Sequence, residues 1–135
     1  MPYSGSPTAD AALEVAGYWS SALGAEASVL YVRPRDSCRG GHFYVETRSE
    51  ARACAELAEL RLRRGGVCAS TLVRDAERSK VSDTIVAVAE ALGASFIVLG
   101  TQGRGPLSAA LFGSTSSRVT RRARCPVILV KTACG

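Results

Sequence analysis

The sequence predicts an α/β fold: an open, doubly wound parallel sheet with helices on both faces. Two observations carry this expectation. Four short apolar runs, 27–32, 67–73, 96–99 and 127–130, have the length of buried strands, and glycine or proline punctuates each. Between them lie longer stretches whose apolar residues recur at three- and four-residue intervals, the period of an amphipathic helix. Strands that alternate with helices are joined by right-handed crossovers, which makes the sheet parallel. With 135 residues, 47% hydrophobic and 21% charged, the chain can fill one core, and no linker divides it. A single domain over 1–135 is expected.

Ser6 is placed to cap a helix that Pro7 begins, with apolar residues at 9, 12, 13, 16 and 19 and a stop at Gly24. Trp19 and Tyr18 are expected in the core and at its rim rather than as a ligand platform. Ala27 to Val32 reads as a strand closed by Pro34. The stretch from Arg33 to Tyr44, with Gly40-Gly41 at its middle, is the least regular and is expected to be a mobile loop. A second helix follows over Val45 to Arg64, ahead of Gly65-Gly66. Val67 to Val73 is the next strand and Arg74 to Lys80 a polar connection. The third helix, Val81 to Leu92, ends at Gly93.

The most informative stretch is Ser95 to Val130. The run Phe96-Ile97-Val98-Leu99 passes into Gly100-Thr101-Gln102-Gly103-Arg104-Gly105-Pro106. After Leu107 to Phe112, Gly113-Ser114-Thr115-Ser116 opens a basic, helix-like segment that leads to Val127-Ile128-Leu129-Val130. Gly100 and Gly103 permit a turn too tight for a Cβ. Gly113-Ser114 falls where a helix begins, so unpaired N–H groups and the positive end of the helix dipole suit phosphate. The residues alone support plainer roles equally well: Gly100 ends a strand, Gly103 and Gly105 shape a turn, and Ser114 caps a helix. Ligands of doubly wound sheets bind outside the carboxyl ends of the strands, and Gly100 stands at such an end.

The spacing Gly100-x2-Gly103-x9-Gly113-Ser114, set between a strand and a helix, resembles the nucleotide-binding signature of the universal stress protein family. The resemblance extends over nearly the whole chain. It implies a Rossmann-like fold that binds ATP or a related adenine nucleotide, with magnesium, as a regulatory ligand. By position it implies that Gly100 and Gly103, with Arg104 in the same loop, line the ribose and phosphates. Gly113, Ser114, Thr115 and Ser116 would supply donors to the phosphates, and Val32 would hold the adenine through its backbone. It also implies a homodimer paired through the last strand, Cys125 to Lys131, whose exposed edge is a template for such pairing.

The amino end departs from the family pattern, which begins with a complete apolar strand and an aspartate that reaches the nucleotide. Here the segment is Pro2-Tyr3-Ser4-Gly5-Ser6, and Ser4 stands in the aspartate's place. A hydroxyl can still hydrogen-bond a ribose or a base edge, but it brings no carboxylate. In that fold the first strand lies inside the sheet. Truncating it exposes two rows of backbone groups, at about 1–3 kcal/mol for each left buried and unsatisfied. Three resolutions offer themselves: natural residues precede Met1, the remaining strands close up, or another chain fills the space. The first is expected because the rest of the pattern is intact, and intact-mass analysis of native protein beginning at Met1 or Pro2 would refute it.

The net charge of +5 is concentrated late: from Gly100 onward there are six cations, Arg104, Arg118, Arg121, Arg122, Arg124 and Lys131, and no acid. Such charge would steer an anion toward the loop. A solvated helix face explains Arg121, Arg122 and Arg124 more simply. Aromatic residues are few and none interleaves with these arginines, so nucleic acid is not an expected partner. No apolar run approaches the ~18 residues of a membrane span, and Met1 to Ser6 has no signal-peptide character, so the expected location is cytoplasmic with no membrane partner.

Cysteines at 38, 54, 68, 125 and 134 lack paired spacing and read as reduced thiols. Cys38 and His42 would make half of a metal site, but no second pair accompanies them. There is no nucleophile–base set or Walker lysine, and His42 is the lone histidine, so enzymatic turnover is not expected. Two other functions remain open at this stage. The chain could act through dimerisation and partner contacts alone, which the serine at position 4 favours, or hydrolyse ATP slowly with Ser4 and the serine cluster positioning water.

Overall fold

The computed structural model describes residues 1–101 and 113–131. In chain order its elements are α1 (Pro7–Leu23), β1 (Ala27–Cys38), β2 (Gly41–Tyr44), α2 (Arg48–Arg64), β3 (Ala69–Glu77), α3 (Val81–Leu92), β4 (Ile97–Gly100), α4 (Ser114–Arg122) and β5 (Val127–Val130). The helix ends follow from local chemistry. Ser6 Oγ accepts the Ala9 N–H at 3.2 Å, Pro7 sits in the first turn, and Gly24 closes α1 in the left-handed region at φ 63°. Thr47 and Glu50 form a reciprocal capping box at the start of α2. That box is why the helix begins at Arg48 rather than at Val45.

β1 pairs in parallel with β3 from Ala27↔Ala69 to Arg35↔Glu77, and β4 pairs in parallel with β5 from Ile97↔Val127 to Gly100↔Val130. Between these two groups runs a seam. The first three residues enter its upper part and pair with β1: Pro2 pairs in parallel with Leu30, the Tyr3 N–H donates to the Leu30 carbonyl at 2.8 Å, and the Leu30 N–H donates to the Met1 carbonyl at 2.8 Å. The inner strand is thus present as a three-residue segment. Toward the amino ends of the strands the seam opens into a cleft of about 380 Å³ bounded by Ala27 and Ser28, Ile97 and Val98, Ala16 and Ser20, and Val88 and Leu92.

Helices cover both faces. Leu13 of α1 and Ala51, Ala55, Ala58 and Leu62 of α2 pack on Val29, Tyr31 and Val73. On the opposite face Ile85 of α3 and Val119 of α4 pack on Leu30, Ile97 and Leu99. The sheet is therefore doubly wound, with one antiparallel hairpin added.

That hairpin corrects the expectation of a mobile loop over Arg33 to Tyr44. β1 continues through Pro34 to Cys38, and β2 returns alongside it from Tyr44↔Arg35 to Gly41↔Cys38. Pro34 does not stop the strand for a geometric reason. The Ala27 N–H donates to Cys68 of the β3 side and the Leu30 N–H to Met1 on the other, so even-numbered residues of β1 point away from β3. The missing N–H of Pro34 therefore costs no bond of the β1–β3 ladder. β3 likewise absorbs residues 74–77, expected as a connection, because Arg33 clamps Asp75 through two contacts of 2.8 Å. Trp19 is a further correction: it is 41% exposed and stacks edge-on with exposed Tyr18 at 5.9 Å. The buried stripe of α1 runs through Ala9, Ala12, Leu13, Ala16 and Ser20, and its last step falls on 20 rather than 19. Among the described residues no helix is long and apolar enough to cross a membrane.

Candidate functional site

At the carboxyl end of the seam, above the bridging segment, lies a cavity of about 280 Å³. The end of β4 forms one side. A Cβ on Gly100 would lie 2.4 Å from the Thr8 carbonyl oxygen and 2.6 Å from its carbon, so only glycine lets the start of α1 press against this strand. The next residue, Thr101, is buried, and its N–H and Oγ1 both donate to the Val130 carbonyl at 2.8 and 3.2 Å. This double bond anchors the point where the chain leaves the sheet.

The second side is the start of α4. Gly113 is its N-cap and no side chain of the described residues caps the helix; the first backbone bond within it runs from Ser117 N–H to the Gly113 carbonyl at 3.0 Å. The N–H groups of Ser114, Thr115 and Ser116 thus belong to the first turn, where an α-helix has no backbone partner for them. A Cβ on Gly113 would meet nothing within 4 Å among the described residues, and its φ of −52° is open to any residue. The contrast with Gly100 is clear. One glycine makes room for the protein's own backbone; the other has no described residue against it.

The third side carries hydroxyls. Ser4 Oγ donates to Ser6 Oγ at 3.2 Å, and Ser6 Oγ lies 3.1 Å from Thr8 Oγ1. Tyr3 holds this segment in place through its hydroxyl, which donates to Asp10 at 2.6 Å, while Arg61 reaches the same carboxylate oxygen at 2.8 Å. Burial, and then the bond to Asp10, push the Tyr3 phenol up to about 12. The same bond, opposed by partial burial and helped by Arg61, holds Asp10 below the ordinary carboxylate range. The floor is apolar, made of Leu30, Val32, Val81, Ile85 and Leu99.

Of the residues singled out from the sequence, Ser4, Val32, Gly100, Gly113, Ser114, Thr115 and Ser116 all line this one cavity. Gly103 and Arg104 lie outside the described residues. Ser6 and Thr8 also line it and were not anticipated, because a capping role accounted for Ser6. The signal that would have found them is a hydroxyl at every second position, Ser4-x-Ser6-x-Thr8.

Arg118 and Arg122 of α4, and Arg124 just beyond it, have partners away from the cavity. Arg122 pairs with Asp83, which also lies 3.8 Å from Lys80; Arg124 reaches Glu90 at 3.4 Å; and Arg118 donates to the Ser79 carbonyl at 3.4 Å. They tie α4 to α3 and its approach. Nor do the described lining residues fit a magnesium ion, which in nucleotide sites is held through one or two carboxylates: there is no aspartate or glutamate among them. Among the described residues no group of three or more potential ligands surrounds Cys38 and His42 or any other point, and His42 Nδ1 instead lies 3.0 Å from Ser37 Oγ. The four described cysteines are free thiols.

Fold and cavity together define a class: a doubly wound α/β protein with a donor-rich pocket at the carboxyl edge of its sheet. The sequence profile of the universal stress protein family matches residues 1–131, and the chain belongs to that family. A universal stress protein of Methanocaldococcus jannaschii is 44% identical over 50 residues, 37% of this chain; the match takes in only 29% of that relative's length. The crystal structure of a protein of the universal stress protein family from Burkholderia pseudomallei superposes with a TM-score of 0.73 at 27% identity, covering 95% of this chain and 90% of that one. A universal stress protein from Archaeoglobus fulgidus in complex with dAMP gives a TM-score of 0.73 at 25% identity, covering 93% and 90%.

Proposed function

We propose that this chain binds ATP or a related adenine nucleotide as a regulatory ligand, not as a substrate. The observation that carries the reading is the convergence, on one cavity, of the uncapped start of α4 with an apolar floor at the carboxyl end of the sheet. The first turn of α4 offers three N–H groups and the hydroxyls of Ser114, Thr115 and Ser116 to phosphate, with the helix dipole in the favourable direction. Leu30, Val32, Val81 and Ile85 offer a surface of the size and character a purine needs, and the Val32 backbone can read its edge. The dAMP complex of the Archaeoglobus relative supports the choice of adenine. The absence of a nucleophile–base pair from the lining residues favours binding without turnover. Pairing of two copies through Cys125 to Lys131 completes the proposal. β5 has a partner strand on its β4 side and only there among the described residues, which leaves an edge to pair.

Calorimetric titration with ATP and AMP tests the binding. Saturable heat is expected for the unaltered chain, with at least about a tenfold loss in Gly113→Val, whose side chain projects where the phosphates would sit. Phosphate release should not differ between the two proteins. Absence of heat with every adenine nucleotide would shift the reading to partner contacts alone. Native mass spectrometry tests the dimer, which truncation before Cys125 should abolish.

A further inference from the structure

We infer that this pocket takes nucleotide as the free anion, with no divalent cation, and that magnesium weakens the binding. The inference rests on the nucleotide reading above and concerns what that site demands of its ligand. Magnesium bound with a nucleotide is ordinarily held by phosphate oxygens, water and one or two carboxylates of the protein. Among the described residues no carboxylate lines the cavity. The loop that leaves β4 cannot add one, because Glu90 is the last acidic residue in the sequence. Of the acids on the surrounding elements, Asp10 accepts from Tyr3 and Arg61, Asp83 pairs with Arg122 and Glu46 accepts from the Tyr31 hydroxyl, while Glu14 of α1 is exposed and lies outside the lining.

What the pocket does present is neutral donors around a helix start. The N–H groups of the first turn of α4 carry the positive end of its dipole, and the linked hydroxyls of Ser4, Ser6 and Thr8 face them from the other side. A hydroxyl can ligate magnesium, as the serine or threonine of a phosphate loop does, but there an aspartate shares the work. Here the protein supplies no negative charge to a cation. Complexation with magnesium removes two charges from ATP and occupies phosphate oxygens that the donors would otherwise bind. Every feature of the lining therefore favours the more highly charged, uncomplexed ligand.

The test is calorimetric titration of the full chain with ATP in excess EDTA and again in excess magnesium chloride at matched ionic strength, with AMP as the probe that binds magnesium weakly. Affinity for ATP should be on the order of fivefold higher in EDTA, while AMP should show no such difference. Equal or tighter binding of ATP in magnesium overturns the inference and leaves the nucleotide reading standing. Binding in neither buffer overturns both. Ser4→Asp, at an exposed position where folding is not at risk, places a carboxylate in the pocket and should narrow or reverse the preference. An unchanged ratio in that variant overturns the assignment of the preference to the missing carboxylate.

Discussion

The two ends of the seam between β1 and β4 are built from the same strands and differ in what fills them. At the carboxyl end Met1 to Tyr3 pair with Leu30, the start of α1 presses on Gly100, and the hydroxyl segment roofs a defined cavity. At the amino end the same strands bound an open cleft lined by Ala16, Ser28, Val98 and Leu92. In β4 the N–H groups of Ile97 and Thr101 donate to Pro126 and Val130, so by the alternation of a strand Val98 and Gly100 turn theirs into the seam. The pocket therefore depends on how the seam is filled at one end. A full sheet is not what shapes it.

Enlarging one side chain at each end tests this difference most strongly. Gly100→Ala forces a Cβ to within 2.4 Å of the Thr8 carbonyl oxygen, backbone against backbone with no rotamer to give way. A loss of about 3 kcal/mol in denaturant unfolding is expected, together with loss of ligand binding. Ala16→Leu adds more atoms, but into the open cleft, and should change stability by no more than about 1 kcal/mol in either direction. Equal losses would mean that the cleft is closed in solution.

Tyr3 sharpens the comparison, because its side chain fixes the roofing segment to α1. Tyr3→Phe removes the bond to Asp10 while leaving Arg61 in place, for an expected loss of about 1–2 kcal/mol. The pH dependence has a sign at each end. Asp10 is held below its unfolded value, so its contribution is present above the ordinary carboxylate range and fades as pH falls through that range and below it. The Tyr3 phenol is raised from 10.0 to about 12, so its contribution is complete below pH 10 and is lost as pH rises toward 12. Stability differences between Tyr3→Phe and the parent should therefore be flat near neutrality and shrink at both extremes.

How much of this was legible in the sequence can be argued from the same residues. The glycine spacing located β4, the start of α4 and the cavity between them, because a strand end followed by an uncapped helix start is a local pattern. Gly100 shows the limit of that reading. Its spacing pointed to a ligand, whereas the structure gives it a sufficient reason in the Thr8 backbone, a contact across 92 residues that no local pattern reveals. Gly113 behaves oppositely: no described residue of the protein accounts for it by close contact. Gly113→Ala should leave stability within about 0.5 kcal/mol of the parent, since its backbone is unstrained and no described residue lies within 4 Å of the added Cβ. The β1–β2 hairpin was hidden because Pro34 and Gly40-Gly41 are ordinary loop signals, and only the direction of the β1–β3 ladder neutralises the proline.

A small effect is also expected from charge. Six cations in the last quarter of the chain suggested a field that would draw anions to the loop. In the folded chain Arg122 and Arg124 spend that charge on Asp83 and Glu90 of α3, at exposed sites where a pair contributes about 0–1 kcal/mol. Their fields are offset by the acids beside them and screened within about 10 Å at 0.1 M salt. The double variant Arg122→Ala, Arg124→Ala should lower stability by less than about 1 kcal/mol and change nucleotide affinity less than about twofold at that ionic strength. A much larger loss of affinity, measured beside Gly113→Val, would return the site to an electrostatic origin. It would mean that these side chains exchange their partners on α3 for the ligand, and that the neutral donors at the start of α4 do not suffice to hold it.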